Sequence, residues 1–296
     1  MEKYNQEWFK NRAIKSLRKI SDGVWDYSDS LLLYISSGAE VYEQLQEVDT
    51  PYFNLVTKPE HEYLKSIAKS LADILPDNFE YIDLGPGTEH KEQFLFDELK
   101  IQGKIFTYVP VDISDYFLDI AESHASKQGI PVRKMKSSFE ELPELLGKAS
   151  IPRFVSIGLT FSNYAPPDIV SLLKDIAGEN GYAFINAQIR DRVDMIELQK
   201  IYQDDAVHLA DDKVRLLGLD PIQDITPRLA DDGFRVSCSI LRSNEALEEV
   251  GIKDGDKLLV FQSLRYTKDS LVDELHTLDH ESFDTGSSFI GTVIKI

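Results

Sequence analysis

Gly85 and Gly87 stand one residue apart directly after the run FEYIDL, and Asp112 closes a second run, YVPVD, 25 residues beyond Gly87. Glycines at a strand end leave the backbone bare, so a ligand can approach it. A helix that follows such a turn offers free N–H groups. An acidic side chain at the end of the next strand can accept both hydroxyls of a ribose. Asp83, at the end of the first strand, can orient the glycine loop or take an ammonium group. A dinucleotide fingerprint needs a third glycine at position 90, and this chain has His90. The set therefore suits a nucleoside with a small polar appendage and no pyrophosphate, as in S-adenosylmethionine (SAM). The competing reading of Asp112 is a strand-end aspartate that caps the next helix.

These residues need a parallel sheet to position them, and the pattern along the chain supplies one. FEYIDLG, FTYVPVDIS, PRFVSIGLTF and YAFINAQI read as buried strands. EQFLFDELK, DYFLDIAESHASKQG and PDIVSLLKDIAGENG read as the helices between them, the second with Ser114 or Asp115 as N-cap and Gly129 as its stop. Alternation at this spacing indicates βαβ units. Residues 6–20 and 61–75 have helical spacing; Tyr63, Leu64, Ile67, Ala68, Leu71 and Ala72 mark one face of the latter. The alternation breaks after about residue 192. MIELQKIYQDDAVHLADDKVRLLGL reads as helical, and FRVSCSIL and KLLVFQSLRY as strands with no long helix between them. KDSLVDELHTL and SSFIGTVIKI then return as a helix and a last strand. The expected organisation is an α/β core of residues 60–192 plus 265–296, and a second α+β domain of residues 1–59 plus 193–264.

Composition narrows the function classes. The chain has 296 residues, 42% hydrophobic, a formal net charge of −19 and a pI near 4.7. That is ample for a sizeable core. An acidic surface repels phosphate backbones and anionic lipid, so no nucleic-acid or membrane partner is expected. Cys238 is the single cysteine, which rules out an intrachain disulfide and a Cys-based zinc site. The polar start MEKYNQEWFK has no apolar signal region, and no apolar run spans a bilayer, so the expected location is cytoplasmic. His61, His90, His124, His208, His276 and His280 are scattered and form no H-E-x-x-H pair, and no metal is expected. His90 reads as an exposed turn residue. The pairs Asp204–Asp205 and Asp211–Asp212 read as solvated helix faces. NYAPP reads as a Pro-rich helix start rather than an amine-methylating N-P-P motif. Neither G-x-S-x-G nor a Walker sequence occurs.

DLGPGTEHK resembles the glycine motif of the histidine-specific, SAM-dependent methyltransferases of the ergothioneine-pathway type, in which an LGxGT turn is followed by a lysine, here Lys91. YVPVDIS is similar to the family's second-strand motif. LTFSNYAPPD resembles its segment after the fourth strand, where Asn163 takes the place of an asparagine that faces the acceptor amino acid. IYQDDAVHLADDKVRLLGLD resembles its tyrosine-and-aspartate helix, and LYISSGAEVYEQLQEVDTPYFNLVTKPEHEYL its N-terminal acceptor-side segment. The likeness runs from about residue 25 to the end. It implies a class I methyltransferase (Rossmann-like) sheet with a second α+β domain made from the N-terminal segment and an insertion, and an acceptor site between the two. The implied cofactor residues are Asp83, Gly85, Gly87, Lys91, Asp112, Ser138 and Phe139. The implied acceptor residues are Tyr52, Phe53, Asn163, Cys238, Phe261 and Ser263, with Tyr34 and Tyr202 as the catalytic candidates that position the acceptor.

The acceptor half departs from the family. A Glu two residues before the serine of its S-x-K-Y-like motif binds the acceptor's amino group. LLVFQSLRY puts Phe261 there, with Ser263 and Arg265 matching the rest and Gln262 one residue away. Cys238 replaces a methionine, and the YYPTR-like turn is lengthened to YFNLVTK. The expected activity is methyl transfer from SAM to a small molecule, at the nitrogen of an amino acid or related amine, with free histidine a poor substrate. The alternatives are a non-catalytic SAM-binding protein, or an enzyme that uses SAM for another reaction.

Overall fold

Parallel strands rich in apolar and aromatic residues must be covered on both faces, and four such strands form the centre of one seven-stranded sheet. The computed structural model describes residues 3–220 and 225–296. In chain order the strands are β1 (Arg18–Ser21), β2 (Val24–Asp26), β3 (Asn78–Leu84), β4 (Ile105–Asp112), β5 (Met135–Lys136), β6 (Arg153–Ile157), β7 (Tyr182–Gln188), β8 (Ile225–Ala230), β9 (Gly233–Ser239), β10 (Lys257–Leu264), β11 (His280–Phe283) and β12 (Phe289–Lys295). The chain divides into two compact units, one of residues 53–193 with 266–296, the other of residues 1–52 with 194–265. Phe53 to Pro59 thus group with the sheet-bearing unit rather than with the N-terminal segment.

The larger unit carries a seven-stranded sheet in the order β11-β12-β7-β6-β3-β4-β5. Strands β5, β4, β3, β6 and β7 run parallel. Strand β12 lies antiparallel to β7, and β11 antiparallel to β12. A parallel sheet whose order reverses beside its first strand, closed by one antiparallel strand inserted next to the edge, is the class I methyltransferase topology. The reversal falls between β3 and β6, so the carboxyl ends of β3 and β4 frame the crevice where such sheets hold ligands.

The helix Lys58–Ile74 buries Tyr63, Ile67, Ala68, Leu71 and Ala72 at three- and four-residue spacing. Its Tyr63 hydroxyl donates to Phe283 O (2.6 Å) and accepts from Gly291 N, which ties the helix to β11 and β12. Helices Gln93–Ile101, Asp115–Lys127 and Pro166–Ala177 complete the βαβ crossovers.

The smaller unit has a separate five-stranded sheet, β1-β2-β10-β9-β8. All its pairs are antiparallel except β2 with β10. Sequence reasoning passed over β1, β2 and β8, because these strands are short or largely exposed and show no apolar alternation. The helix expected over residues 6–20 stops at Ser16, and β1 begins two residues later. The long helix expected from MIELQKIY onward is broken into helix Met195–Asp204, a tight turn Ala206–Ala210 and a short helix Asp211–Arg215. Asp205, at φ −124°, interrupts the ladder.

Lys213 sits wholly buried on that short helix, its ammonium donating to Asp29 O (2.7 Å) and Val260 O (2.8 Å). Burial lowers its pKa to about 7, against the pull of Asp29 and Asp26. Gly38, in helix Ser37–Leu45, is a second point of close approach: an added Cβ would lie 1.9 Å from Leu33 O and 3.3 Å from Leu209 O. Gly38→Ala is therefore expected to destabilise the smaller unit by about 1–3 kcal/mol or more, since backbone must move to admit the methyl. Urea unfolding followed by circular dichroism measures it, and an unchanged midpoint would show that Leu33 yields freely.

Candidate active site

The loop after β3 holds Gly85 at φ +69° and Gly87 at φ +66°, backbone that side chains adopt only with strain. Gly85 N–H donates to Val111 O (3.0 Å), which fastens the loop to the end of β4. A Cβ built on Gly85 would stand 3.3 Å from Thr160 Oγ1 and 3.7 Å from Phe139 Cζ. The loop, Thr160 and Phe139 thus bound a recess that a side chain would fill and that bare backbone leaves open. Phe139 begins a short turn, Phe139–Glu141, and the buried Ser138 is its N-cap residue. Thr160 escaped sequence reasoning because LTF read as the end of a strand. The strand stops at Ile157, and Leu159–Asn163 form a tight turn that carries Thr160 and Asn163 past the sheet's carboxyl edge.

Asp112 ends β4, as expected. Its Oδ1 accepts the Ser114 N–H (2.8 Å), so the carboxylate does help start the next helix. Burial pushes its pKa up to about 7, with the Ser114 and Ile113 N–H groups pulling the other way. Asp83 lies deeper. One oxygen accepts from Tyr108 OH (2.8 Å) and the other from Ser156 Oγ (3.1 Å). Burial, aided by the Glu92 charge, raises its pKa to about 6. With both oxygens engaged by hydroxyls of the sheet, Asp83 braces the strand end beneath the loop.

Lys91 is also buried, with its ammonium 3.9 Å from Glu60 Oε1 and 3.9 Å from Glu89 Oε2. Burial alone would lower its pKa, but Glu60, Glu89, Asp83 and Glu92 outweigh that and hold it above the usual lysine range. Space for the ammonium exists because Gly158, just past β6, has no side chain: a Cβ there would be 2.7 Å from Lys91 Nζ. Asn186 Nδ2 donates to Glu60 Oε1 (2.7 Å), completing a buried polar group that sequence spacing did not reveal. Glu60, Asp83, Lys91, Ser156 and Asn186 line a cavity of about 30 Å³, room for about one or two waters.

Asn163 and Phe53 belong to the same unit as these residues, whereas Tyr34, Tyr52, Tyr202, Cys238, Phe261 and Ser263 belong to the smaller one. There the fold brings three of the expected acceptor residues, Cys238, Phe261 and Ser263, to one sheet face. Register pairs Leu258 with Cys238, Phe261 with Val236 and Ser263 with Phe234. A bulge at Val260, whose carbonyl is taken by Lys213, shifts the phase of β10 by one residue. Phe261 and Ser263 share a face by ordinary alternation, and the shift brings Leu258 to that face as well. Tyr202 covers that face, stacked on Phe234 (4.6 Å between centroids) and tilted against Phe261 (6.1 Å). Tyr202 OH donates to Ser263 Oγ (2.8 Å), and buried Arg265 donates to Ser263 Oγ (2.7 Å) and Tyr202 OH (3.4 Å). Tyr34 packs edge-on against Tyr42, and Tyr52 is buried. Of the aspartate pairs, Asp204 and Asp205 are exposed, as expected of a solvated face. Asp212 instead accepts from both the N–H and the hydroxyl of Ser37.

A family model described as histidine-specific methyltransferase, SAM-dependent, matches residues 10–210. The chain belongs to that family. The matched span holds every expected cofactor residue and ends before β9 and β10. The histidine N-alpha-methyltransferase of Mycobacterium tuberculosis (strain CDC 1551 / Oshkosh) is 24% identical over 147 residues, 49% of this chain and 44% of that protein. The chain thus aligns with less than half the length of this curated relative. Among solved structures, the PH0226 protein of Pyrococcus horikoshii OT3 has a TM-score of 0.47 at 13% identity, covering 88% of this chain and 99% of that one. The 1,6-didemethyltoxoflavin-N1-methyltransferase of Burkholderia thailandensis, solved with S-adenosylhomocysteine, has a TM-score of 0.45 at 12% identity, covering 90% of this chain and 87% of that one. Among the described residues, no helix is long and apolar enough to cross a membrane.

The recess at Gly85 fits the family's cofactor. Bare backbone at the end of β3 and an acidic group at the end of β4 are the donor and acceptor types that an amino-acid tail and a ribose require.

Proposed function

We propose that this chain transfers the sulfonium methyl of SAM to the nitrogen of an amino acid or related amine. Family membership, together with the left-handed Gly85–Gly87 loop beside Asp112, is the observation that carries the reading. Asp112 accepts the ribose hydroxyls, and the loop receives the amino-acid tail. Lys91 and Asp83 hold the loop from beneath, and Ser138 and Phe139 flank the cofactor. SAM supplies a methyl group already on a good leaving centre, so the protein's task is alignment and exclusion of water. An amine must lose its proton before it can act as a nucleophile. Tyr34 and Tyr202 serve as positioning residues. The Tyr202 hydroxyl is suited to that task because Ser263 and Arg265 fix its direction. Asn163 holds the acceptor's carboxylate or amide, with Tyr52, Phe53, Cys238, Phe261 and Ser263 shaping its surroundings. The acceptor is a small molecule, and the reaction belongs to the cytoplasm, where a lone buried Cys238 stays reduced.

The test is conversion of SAM to S-adenosylhomocysteine across a panel of amino acids and amines, with the methylated product identified by mass. Tight SAM binding without turnover on any acceptor would favour a non-catalytic SAM-binding protein. Absence of SAM binding would remove the reading altogether.

A further inference from the structure

His90 and His124 lie 34 residues apart in sequence, and no short-range motif links them. The fold stacks their imidazoles with centroids 3.9 Å apart and planes within 11°. His90 reaches this position from the turn after Gly87 by adopting φ +53°, a left-handed conformation that is costly for a non-glycine residue. His90 is accordingly more than the exposed turn residue that its sequence context suggested. Glu92 brings a carboxylate to the same spot, 3.9 Å from His90 Nδ1. That residue is only 4% exposed. Among the described residues, no lysine or arginine pairs with the Glu92 carboxylate and no side chain donates a hydrogen bond to it. Lys91 acts on this carboxylate through space, beyond ion-pair distance.

One ligand atom from each of the three residues lies within 4.8 Å of the others. The histidines open onto a surface depression of about 440 Å³ bounded by Tyr116, Ser123 and Lys127, which gives an entry path and room for water ligands. The Gln128 side-chain nitrogen donates to His124 Nε2 (2.8 Å) while its oxygen accepts from Lys100, so an ion bound at this ring displaces that amide contact.

We propose that His90, Glu92 and His124 form a site for a divalent transition-metal ion of the zinc, cobalt or nickel type. Two imidazoles and one carboxylate, with the remaining positions open to water, suit such borderline ions better than magnesium or calcium. Metal–nitrogen and metal–oxygen bonds near 2.0–2.2 Å place neighbouring ligand atoms roughly 3–3.5 Å apart. The separations, within 4.8 Å, close by about 1–2 Å through rotation of the part-exposed rings out of their stack. The ion pins helix Asp115–Lys127 to the turn that follows the Gly85–Gly87 loop. The site stands apart from the cofactor reading and does not depend on it.

The probe is the metal alone, added to untagged, metal-stripped protein. Calorimetry with Zn²⁺ is expected to show one ion per chain, and Co²⁺ to give the visible d–d bands of imidazole ligation. His124→Ala, at a part-exposed position, is expected to weaken Zn²⁺ binding by about 100-fold. His208→Ala and His276→Ala, at histidines outside the cluster, leave it unchanged. The proposal is overturned by absence of stoichiometric binding, by an unaltered affinity in His124→Ala and His90→Ala, or by an equal loss in His208→Ala.

Discussion

Asp112→Ala weakens SAM binding by about ten-fold or more, the expected loss of a charge-assisted hydrogen bond at about 1.5–3 kcal/mol. The pH dependence of the wild type identifies the same group. Its folded carboxyl is pushed up to about 7 by burial, and ribose hydroxyls donate to the ionised form. Below that pH a proton must leave before the ligand is held, so affinity falls as pH falls. With one such group, the affinity at pH 6 is about ten-fold lower than at pH 8. Stability without ligand has the opposite slope. A carboxyl whose folded pKa is raised contributes stability below its unfolded value near 3.9 and loses that contribution as pH rises through about 7. Calorimetric titrations of wild type and Asp112→Ala at both pH values decide the matter. If the variant keeps both the affinity and the pH slope, Asp112 does not touch the cofactor, and its bond to the Ser114 N–H is its whole role.

The second large effect concerns the acceptor. Free L-histidine is expected to be methylated with a kcat/KM about ten- to a hundred-fold below that of a less charged or bulkier amine. A desolvated ammonium group needs a carboxylate or several acceptors. In the resembled family a Glu fills that role, and the corresponding place here is Phe261, inside an aromatic group with Tyr202 and Phe234. The loss of one charge-assisted contact sets the magnitude. Gln262 cannot step in, because neighbouring strand residues alternate and it faces away from Ser263. Initial rates across amino acids and amines, with product masses, give the comparison. Efficient trimethylation of L-histidine would mean that the missing carboxylate is supplied elsewhere and that Phe261 does not mark the amino-group corner.

Local chemistry was enough to read much of the larger unit. Strands buried on both faces need unbroken β-branched and aromatic runs, and FEYIDL, YVPVD and YAFINAQ carry them. The helix faces follow from three- and four-residue spacing that no neighbour needs to supply. A glycine pair at a strand end specifies a left-handed turn wherever it falls, and Gly85 and Gly87 adopt one. An aspartate that ends a strand likewise stays at the sheet's carboxyl edge, as Asp112 does.

What the tertiary structure alone decided involves partners far apart in sequence. Strands β1, β2 and β8 exist because β2 adds to the edge of β10, β1 to β2 and β8 to β9, not because of their own pattern. The bulge that puts Phe261 on the same face as Leu258 and Cys238 is held by Lys213, 47 residues upstream of Val260. Lys91 is accommodated by the missing side chain of Gly158 and countered by Glu60, neither of them near it in the chain. His90, Glu92 and His124 converge only because helix Asp115–Lys127 packs beside the turn after β3. Period and propensity act within a few residues of chain, whereas register shifts, buried countercharges and clusters arise when separate elements share one volume, and no local pattern records that.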